Sequence, residues 1–474
     1  MIQKQFDAAV VGTGPNGLAA AIVLAKAGHR VIVYEGQSHV GGSAQTRPLE
    51  EPDCIHDICS AIQPMGYASP FFKSLALEEK GLSWIQPEIP LAHPLDNREA
   101  VFLFRDLDQT AAQFEEDARA YKNLFGPLVD GFEPLLNDAL GPLGLPKHPL
   151  AMARFGLNAI RSCTAVAGRF KSVKARALLA GLCAHSVLPL EMAPSAAIGL
   201  MLGAAGHAVG WPMPKGGAQA ITDALVAMFK EEGGVIQTDT PITDLSQVDT
   251  KGPVLLQVAP KGLLQIAGEA LSTGERAALQ KYRYGPGVCK VDWTMDGPIP
   301  WEHPDVQKAG TVHLGGTLEE LATGERDAFK GRSTSKPYVL LAQPSQFDDT
   351  RAPAGKHVAW AYCHVPHGSD EDATAQIEAQ VERYAPGFCE QIRTRHVKTA
   401  AHMERMNPTF VGGDINGGAP ILSQLFTRPR VRLNPYATSH PRIFLCSSST
   451  PPGGGVHGMA GYYAAKSALK RMPG

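Results

Sequence analysis

The stretch VVGTGPNGLAAAIVLAKAGHRVIVYEGQSHVGG, residues 10–42, has the order strand, glycine turn, helix and second strand. The apolar run that ends at the turn is typical of a strand buried on both faces of a parallel sheet. The residues after the turn are small and apolar, which suits a helix packed on that sheet, and Gly28 closes the helix. The stretch therefore predicts a βαβ unit of an α/β fold.

Three glycines define the turn, because Gly12, Gly14 and Gly17 have the spacing Gly-x-Gly-x-x-Gly. Gly12 permits the tight turn, Gly14 lets the backbone approach a pyrophosphate, and Gly17 lets helix and strand pack closely. Pro15 and Asn16 open the helix, whose N-terminus would face the phosphates. Since strands and helix flank this spacing in the right order, it predicts a dinucleotide-binding turn and not a plain structural one.

An acidic residue and a second glycine pair follow. Glu35 ends the second strand, where a carboxylate can accept hydrogen bonds from both hydroxyls of an adenosine ribose and would repel the 2'-phosphate of NADP. These features fit both NAD and FAD. The stretch VGGSAQT, residues 40–46, resembles the loop with which two-dinucleotide-binding flavoproteins hold the phosphates and ribityl chain of FAD. On that resemblance Gly41, Gly42 and Ser43 are candidate FAD contacts.

The C-terminal stretch RIFLCSSSTPPGGGVHGMAGYYAAKSALKR, residues 442–471, again has the order strand, glycine turn and helix. In flavoproteins of this class the C-terminal segment returns to the FAD domain. The resemblance places Gly454, Gly455 and Val456 against the flavin, with the helix N-terminus directed at the ring that becomes anionic on reduction. The alternative is an ordinary terminal helix after a flexible glycine loop.

The middle of the chain supplies a third element, GWPMPKGGAQAITDALVAMFKEEGGVIQTDTPITDL at residues 210–245. Apolar residues at core spacing predict a helix that leads into the strand VIQTD. Such a unit could belong to any α/β protein. In this flavoprotein class, however, the PKGG turn, the helix, the strand and an apolar residue after a proline, here Ile242, form the adenine side of the FAD site.

With these three blocks the chain resembles the phytoene (carotenoid) desaturase family of the amine-oxidase-like flavoprotein superfamily. More closely, it resembles the subgroup named pyridine nucleotide-disulfide oxidoreductase domain-containing proteins. Four further stretches carry the resemblance: HDICSAIQPMGYASPFF (56–72), KYRYGPGVCKVDWTMDGPIPW (281–301), PAGKHVAWAYCHVP (353–366) and GGDINGGAPILSQLFTRP (412–429). The segments GGDINGG and STPPGGGVHG depart from the usual desaturase versions, so the resemblance does not imply a carotenoid substrate.

The resemblance implies an α/β fold in which a Rossmann-like FAD-binding domain is interleaved with an α+β substrate domain and a helical region. We predict that the FAD domain comprises residues 1–85, 213–270 and 432–474. The substrate domain would comprise residues 86–100 and 271–431. Residues 101–212 would form the helical region, which touches the membrane in carotenoid desaturases.

The resemblance predicts an FAD-dependent oxidoreductase, of the dehydrogenase or desaturase type, that transfers a hydride from an apolar organic substrate, isoprenoid or lipid-like, to the flavin. FAD is expected to bind noncovalently, since the sequence shows no recognised attachment motif. Oxygen, a quinone or another acceptor would reoxidise the flavin, and the sequence does not specify which. Two alternatives remain: a non-catalytic lipid- or partner-binding protein of the same fold, and an amine oxidase with an aromatic cage.

Four residues are candidates for the flavin face, although hydride removal from an activated C–H bond does not require a strong base. His56 and Asp57 follow the FAD loop, and Lys215 precedes the second glycine pair. His457 lies in the predicted first turn of the C-terminal helix, whose dipole would favour a neutral imidazole that can accept a proton. For each of the four, a structural or solvent-exposed role is the alternative.

The composition limits the partners and the compartment. The 474 residues carry a net charge of -2 and 19% are charged, which gives no sign of nucleic-acid binding. The eight cysteines show no zinc-like spacing, so no metal site is predicted and the thiols fit a reducing, cytoplasmic compartment. Cys54 and Cys59 have the spacing of a redox pair, but an extended strand would hold them roughly 16 Å apart, beyond disulfide reach.

Two stretches bear on membrane contact. Residues 192–214 carry no formal charge but contain Pro194, several glycines and His207, so we predict a buried or membrane-dipping helix in preference to a span. The stretch RFKSVKAR, residues 169–176, is basic, which is compatible with anionic lipid and equally with a solvated helix face. Peripheral membrane association is therefore an expectation for an otherwise cytoplasmic protein.

Overall fold

A five-stranded parallel sheet holds the N-terminal glycine turn in the computed structural model, which describes residues 6–142, 144–425 and 427–472. Its strands, in order across the sheet, are Ile443–Leu445, Val254–Leu256, Ala8–Val11, Val31–Tyr34 and Val235–Gln237. All but Val235–Gln237 are buried along their whole length, as expected for strands covered by helices on both faces. The predicted βαβ unit and the two distant blocks thus join in one sheet.

Helices cover both faces of this sheet. One face carries Pro15–Lys26, Gln219–Glu231 and Met459–Leu469, and the other carries Pro260–Ala267 and Thr273–Gln280. The first and last helices are so close that a Cβ atom on Gly461 would lie 1.7 Å from the carbonyl oxygen of Asn16. Glycine at position 461 therefore lets the C-terminal helix pack directly against the first one.

A seven-stranded mixed sheet forms the second layer. Its strands, in order, are Ile392–Lys398, Gly287–Met295, His357–Val365, Val339–Ala342, Ala309–Leu314, Ile89–Pro94 and Ala100–Leu103. Neighbouring strands are antiparallel except for Ala309–Leu314 and Ile89–Pro94, which run parallel. One face packs on helix Thr374–Glu382, while part of the other faces an internal cavity. Two short strand pairs stand apart, Thr46–Pro48 with Ile55–Asp57 and Trp84–Ile85 with Met213–Pro214.

The remaining helices form a layer over the cavity side and short connections. The helical layer consists of Leu107–Ala111, Ala118–Asp130, Phe132–Ala139, Pro149–Ala159, Cys163–Ala167, Val173–Ala184 and Ala196–Ala208. The other helices are Pro64–Ala68, Pro70–Ser74, Leu318–Phe329, Ala400–Met406 and Leu422–Leu425. The uncharged stretch 192–214 supplies the buried helix Ala196–Ala208, which packs on Val173–Ala184. Among the residues described, no helix has the length and apolar character needed to cross a membrane.

The architecture is the α/β arrangement expected from the sequence, a Rossmann-like parallel sheet interleaved with a mixed-sheet domain and a helical region. All five parallel strands lie within the three segments that we assign to the FAD domain. The hairpin strand Ala100–Leu103, however, belongs to the mixed sheet and runs past the predicted boundary at residue 100. The chain leaves the sheet only after this strand has paired with Ile89–Pro94.

Candidate flavin and substrate site

One cavity of about 1300 Å³ joins the three regions of the fold. It begins at the glycine turn of the parallel sheet, continues between the C-terminal turn and the mixed sheet, and is covered by the helical layer. Most of the predicted cofactor residues line it, namely Gly12, Gly14, Pro15, Asn16, Glu35, Gly42, Ser43, Ile242, Gly454, Gly455 and Val456. Residues from four distant parts of the sequence therefore meet at one surface.

Gly17 and Gly41 support the turn from behind the cavity wall. A Cβ atom on Gly17 would lie 2.0 Å from the carbonyl oxygen of Gly12, so this glycine permits the close packing of helix on strand. The amide of Gly41 donates to the hydroxyl of Thr13 at 3.0 Å. The second glycine loop is thereby held against the first one.

The Glu35 carboxylate is buried and held in place. It accepts from the amide of Thr13 at 2.9 Å, from the Thr13 hydroxyl at 2.5 Å and from the amide of Gln37 at 3.0 Å. Its backbone carbonyl accepts from Thr240, which brings the segment that contains Ile242 to the same end of the cavity. A fixed carboxylate with further lone pairs, beside an apolar wall, matches the ribose and adenine portion of a dinucleotide.

Gln257 is a neighbour of the glycine turn that the sequence did not point to. It follows strand Val254–Leu256, lines the cavity, and accepts from the amide of Gly17 at 2.6 Å. Its side chain occupies the space beside Gly14, where a Cβ atom would lie 2.1 Å from Nε2. Gln257 therefore caps a backbone amide in the first turn of the first helix. The parallel pairing of strands Ala8–Val11 and Val254–Leu256 brings the glutamine to this position.

The C-terminal glycine turn faces the cavity with its backbone. Gly455 has a φ of +131°, a conformation that favours glycine, and the turn lines the cavity with Gly454 and Val456. The helix itself begins only at Met459, and its N-cap Gly458 is packed against other protein groups. The structure therefore brings the turn to the cavity and keeps the helix N-terminus behind it, in contrast to the sequence expectation.

Asp57 and Lys215 do not line the cavity. Asp57 is fully buried and accepts from Arg351 at 2.5 Å, from the Thr46 hydroxyl at 2.8 Å and from the amide of Ala218 at 2.8 Å. Its contacts fix the start of helix Gln219–Glu231 to the second glycine loop. Lys215 is exposed to solvent. Asp57 therefore has a structural role, and Lys215 does not reach the cavity wall.

His56 and His457 also lie behind the wall. His56 is buried beside Thr294 and Asp292, with Nδ1 3.9 Å from the Asp292 carboxylate, and burial lowers its pKa to about 4. His457 accepts from the amide of Met459 at 3.1 Å, and burial lowers its pKa to about 4. The expected neutral imidazole of His457 thus results from burial, and its ring supports the glycine turn from behind.

Lys290 is a buried charged residue at the inner wall of the cavity. Its Nζ lies 4.8 Å from the ring centroid of Trp360, donates to the carbonyl oxygen of Asp57 at 3.1 Å and pairs with Asp292. Lys398 binds the other oxygen of Asp292 at 2.7 Å. Burial lowers the pKa of Lys290 to about 8, although the Asp292 carboxylate acts in the opposite direction.

Burial alone would raise the pKa of Asp292, but the charges of Lys290 and Lys398 outweigh burial and lower it. The carboxylate therefore stays ionised between two lysines in a water-poor interior. Lys290 and Asp292 alternate along the buried strand Gly287–Met295. The sequence does carry a signal for this pair, namely two charged residues at alternating positions within an apolar run. That signal lies outside the glycine motifs on which the site prediction was based.

Aromatic side chains frame the inner cavity. Trp360 and Tyr362 lie on one face of strand His357–Val365 with ring planes 11° apart and centroids 6.2 Å apart. Trp211 and Tyr463 line other parts of the wall. Trp293 packs on Phe388 away from the cavity, and Tyr462 does not line it. Of these four other aromatic residues, only Trp211 and Tyr463 reach the cavity, so the structure assembles only part of a possible aromatic cage.

The dinucleotide end of the cavity fits FAD by its shape and its donors. Gly12 and Gly42 have φ values of +99° and +58°, and a Cβ atom on Gly42 would lie 3.1 Å from the Cα atom of Gly14. Side chains at these positions would fill the cradle that the glycines leave open. Together with the buried Glu35, this cradle can hold the phosphates and the ribose of the cofactor.

A glycine cradle on a parallel sheet and a separate mixed sheet, sharing one cavity, define a flavoprotein oxidoreductase with distinct cofactor and substrate regions. The chain belongs to the flavin containing amine oxidoreductase family, whose model matches residues 16–468. It is accordingly an FAD-dependent oxidoreductase.

Curated relatives match the chain nearly end to end. Pyridine nucleotide-disulfide oxidoreductase domain-containing protein 2 of Rattus norvegicus is 26% identical over 549 residues, covering 98% of this chain and 93% of that protein. A limonene dehydrogenase polypeptide from Castellaniella defragrans is 22% identical, covering 99% and 95%. A 4,4'-diapophytoene desaturase of Methylomonas is 21% identical, covering 94% and 91%. The predicted resemblance to desaturases and to the pyridine nucleotide-disulfide oxidoreductase subgroup is confirmed.

Solved structures share the fold at low identity. An oxidoreductase of Methanosarcina mazei has a TM-score of 0.65 and 16% identity, covering 98% of this chain and 99% of that chain. Putrescine oxidase bound to putrescine has a TM-score of 0.63 and 17% identity, covering 98% of each chain. The fold predicted from the sequence is therefore confirmed.

Proposed function

We propose that the protein oxidises an apolar organic substrate, isoprenoid or lipid-like, which lies in the inner part of the cavity and gives a hydride to noncovalently bound FAD. One observation carries this proposal: the cavity that contains the dinucleotide cradle continues without interruption between the mixed sheet and the helical layer. When bound, FAD supplies the acceptor for the hydride. The chain's own residues bind and orient the substrate and exclude water.

The lining of the cavity favours an uncharged substrate. Among the described residues at the wall, only Glu35 and Asp138 are acidic. Glu35 belongs to the cofactor end, and Asp138 accepts from the amides of Lys147 and His148. Beyond these two residues, the described wall offers apolar and aromatic side chains, uncharged polar groups and cations that include Lys290 and Arg428, and no carboxylate to pair with a cationic substrate.

Lys290 is the proposed proton acceptor. Formation of a double bond removes a hydride and a proton from the substrate, and the proton needs a base. With a pKa lowered to about 8, the Nζ atom is a neutral amine in a substantial fraction of molecules at slightly alkaline pH. Asp292 and the carbonyl oxygen of Asp57 fix the position of that nitrogen. Asp57 would act only by positioning the amine.

The noncovalent attachment of FAD is supported by the state of the nearest thiol. Cys59 lines the cavity, and burial raises the pKa of its thiol to about 11, so it stays protonated and a poor nucleophile. All eight cysteines are free in the structure. Precipitation with acid should therefore release all the flavin into the supernatant, whereas yellow colour in the washed pellet would contradict noncovalent binding.

Peripheral membrane contact would give an apolar substrate a route to the cavity. Leu145 lines the cavity and is 99% exposed, and Leu150 and Leu157 are exposed on helix Pro149–Ala159. The cavity thus reaches the surface beside apolar side chains. The neighbouring basic stretch, residues 169–176, is largely neutralised, since Lys171, Lys174 and Arg176 pair with Glu116, Glu99 and Glu319. Burial of apolar side chains would therefore contribute more to membrane binding than attraction to anionic lipids.

The amine-oxidase alternative has one specific observation in its favour, the parallel rings of Trp360 and Tyr362. Such rings can hold an ammonium group by cation–π attraction. However, the Lys290 ammonium already lies over Trp360, and a second positive charge beside it would be repelled. We therefore favour the uncharged substrate.

Anaerobic bleaching of the flavin absorption distinguishes the two functions. Purified protein should be yellow, and isoprenoid hydrocarbons or alcohols should bleach the band, while primary amines such as putrescine should leave it unchanged. Oxygen or a quinone should then restore the colour and identify the electron acceptor. Bleaching by amines alone would contradict the proposal, and a colourless protein that binds lipid would favour the non-catalytic alternative.

A further inference from the structure

A cluster of buried histidines lies where the mixed sheet meets the helical layer, outside the dinucleotide end of the cavity. His93 and His313 stand on the parallel strands Ile89–Pro94 and Ala309–Leu314, and neither is exposed to solvent. His185 follows helix Val173–Ala184 and lines the cavity beside Trp211. The oxidation chemistry proposed above assigns no role to these three imidazoles.

Two separate hydrogen bonds hold the cluster in place. The Nε2 atoms of His185 and His313 are 2.9 Å apart, and Nε2 of His93 is 2.8 Å from the carbonyl oxygen of Gly316. In the described part of the chain, Nδ1 of His93 and Nδ1 of His313 have no partner. Both atoms lie near Gly181, where an added Cβ atom would be 3.0 Å from the first and 2.7 Å from the second.

The carbonyl partner of His93 fixes the tautomer of that ring. A carbonyl oxygen only accepts, so Nε2 of His93 is protonated and its Nδ1 bears a lone pair. Burial lowers the pKa of His93 to about 4, that of His185 to about 3 and that of His313 well below its usual range, so all three rings are neutral.

When His185 donates its Nε2–H to His313, the remaining nitrogen of His185, Nδ1, bears a lone pair. That Nδ1 atom makes no hydrogen bond within the part of the chain that the structure describes. Because His185 is the member of the cluster at the cavity wall, this lone pair is the polar group that the cluster offers to a ligand.

Thr311 supplies a second observation. It lies on the same face of the same strand as His313, lines the cavity, and is 1% exposed. Its hydroxyl has no partner among the described residues. Buried hydroxyl groups are nearly always hydrogen-bonded in native proteins, so an unpartnered one at a cavity wall marks a place for a ligand's polar atom.

The His185 and Thr311 side chains lie far from Lys290, the proposed proton acceptor. Across the sheet, His313 pairs with Leu340, Leu340 with Tyr362, and Tyr362 with Lys290. Three strand spacings of about 4.8 Å place His313 and Lys290 roughly 14 Å apart. Leu340 and Tyr362 line the cavity between them. A ligand that reaches both ends has an apolar body of this length.

We infer that His185 and Thr311 form a subsite for a hydroxyl group at one end of the apolar substrate, with the substrate O–H donating to His185 and the Thr311 hydroxyl donating to the substrate oxygen. The substrate class is therefore a long-chain or isoprenoid alcohol, and His185 is a specificity-determining residue. This inference rests on the proposed function, since it takes the same cavity as the substrate site.

Calorimetric binding to the FAD-loaded protein tests the subsite without turnover. The probes are 1-dodecanol, its methyl ether and dodecane, which share one apolar body and differ in the hydrogen bonds that they can make. The alcohol should bind about fivefold more tightly than the ether, since one net hydrogen bond is lost. In His185→Phe that preference should vanish, while dodecane should bind as it does to the wild type.

Two further variants separate recognition from folding. Thr311→Val should reduce the alcohol preference in part, because it removes only the donor to the substrate oxygen and nearly preserves the shape. Ile198→Val, which trims another residue at the cavity wall, should weaken all three probes equally and leave the preference intact. If His185→Phe does not fold, the smaller His185→Leu, which has no hydrogen-bonding atom in its side chain, should still abolish the preference.

The outcomes are distinct. An alcohol preference that survives both the His185 and the Thr311 variants would overturn the subsite, and an ether that binds as well as the alcohol would overturn the assignment of His185 as an acceptor. If none of the three probes binds to the wild-type protein, the apolar substrate of the proposed function is wrong, and the subsite is refuted with it.

Discussion

The two sheets of the protein build their sites in opposite ways. The parallel sheet is apolar and presents backbone to the cavity, through the glycine turns at Gly12–Gly14 and Gly454–Gly455. The mixed sheet is also buried, yet its cavity side carries Lys290, Asp292 and His313. The parallel sheet thus offers mainly backbone groups, with Glu35 as its one acidic side chain at the described cavity wall, while the mixed sheet offers side chains that must be paired with one another.

This difference has an energetic consequence. A cradle made of backbone amides can form wherever side chains are absent. A buried charge, by contrast, must be compensated by partners from other strands. We expect substitutions in the mixed sheet to affect stability and catalysis together, and substitutions in the glycine turns to affect flavin binding with the fold retained. Three predictions test this contrast and a fourth concerns a buried histidine of the helical layer; they follow in decreasing order of effect.

Asp292→Ala should lower the free energy of unfolding by about 3–5 kcal/mol, because Lys290 and Lys398 would be left as uncompensated buried charges. Denaturant unfolding followed by tryptophan fluorescence measures the loss. Asp305→Ala, which removes a partner of Lys308 at the surface, should cost less than about 1 kcal/mol. Equal losses in both variants would contradict the compensation of charge in the mixed sheet.

Lys290→Met should reduce kcat/KM about 100-fold or more, because methionine keeps the contact with Trp360 but cannot take a proton. In the wild type the rate should rise with pH up to about 8, since the neutral amine is the base, and this inflection should disappear in the variant. Lys398→Met is the matched control: it also loses a bond to Asp292 but lies away from the cavity wall. A lost inflection in the control would indicate a general effect of the charge cluster.

Gly14→Val should weaken FAD binding by about tenfold or more while the protein stays folded, since the added atoms displace the end of the flexible Gln257 side chain into the cradle. Flavin content per polypeptide and the unfolding midpoint of the apoprotein measure the two effects. Gly156→Ala, on a helix with open space around that position, should keep full flavin content. A variant Gly14→Val that retains all its flavin would show that the pyrophosphate lies elsewhere.

Acidification should destabilise the protein through its buried neutral histidines. Burial lowers the pKa of His207 to about 4, below the value of about 6.5 in the unfolded chain. The unfolded state therefore binds more protons between these values, and the stability that is complete above pH 6.5 is lost as pH falls towards 4, by about 1.4 kcal/mol per pH unit for each such histidine. His207→Phe should show a correspondingly shallower pH dependence, and the exposed His39→Gln should not. Identical slopes in wild type and His207→Phe would refute the assignment.

Local patterns in the sequence are sufficient to predict the fold class and most of the residues that line one end of the cavity. Glycine spacing, an acidic residue after a strand and apolar periodicity predicted the turn at residues 12–17, the position of Glu35 and a C-terminal helix. The helix begins at Met459, so His457 precedes it and does not lie in its first turn as predicted. These features are local because each depends on what a few consecutive residues allow the backbone to do.

The side chains that meet at the inner cavity are selected by long-range packing instead. Lys290, His185, Thr311 and Gln257 come from separate elements, and strand order and register bring them to one wall. The same packing buries Asp57, His56 and His457 behind the cavity wall, although all three are close to the glycine loops in the sequence. A pairing between distant strands leaves no local pattern, because the energy that fixes it comes from burying apolar surface and compensating charge across the whole domain.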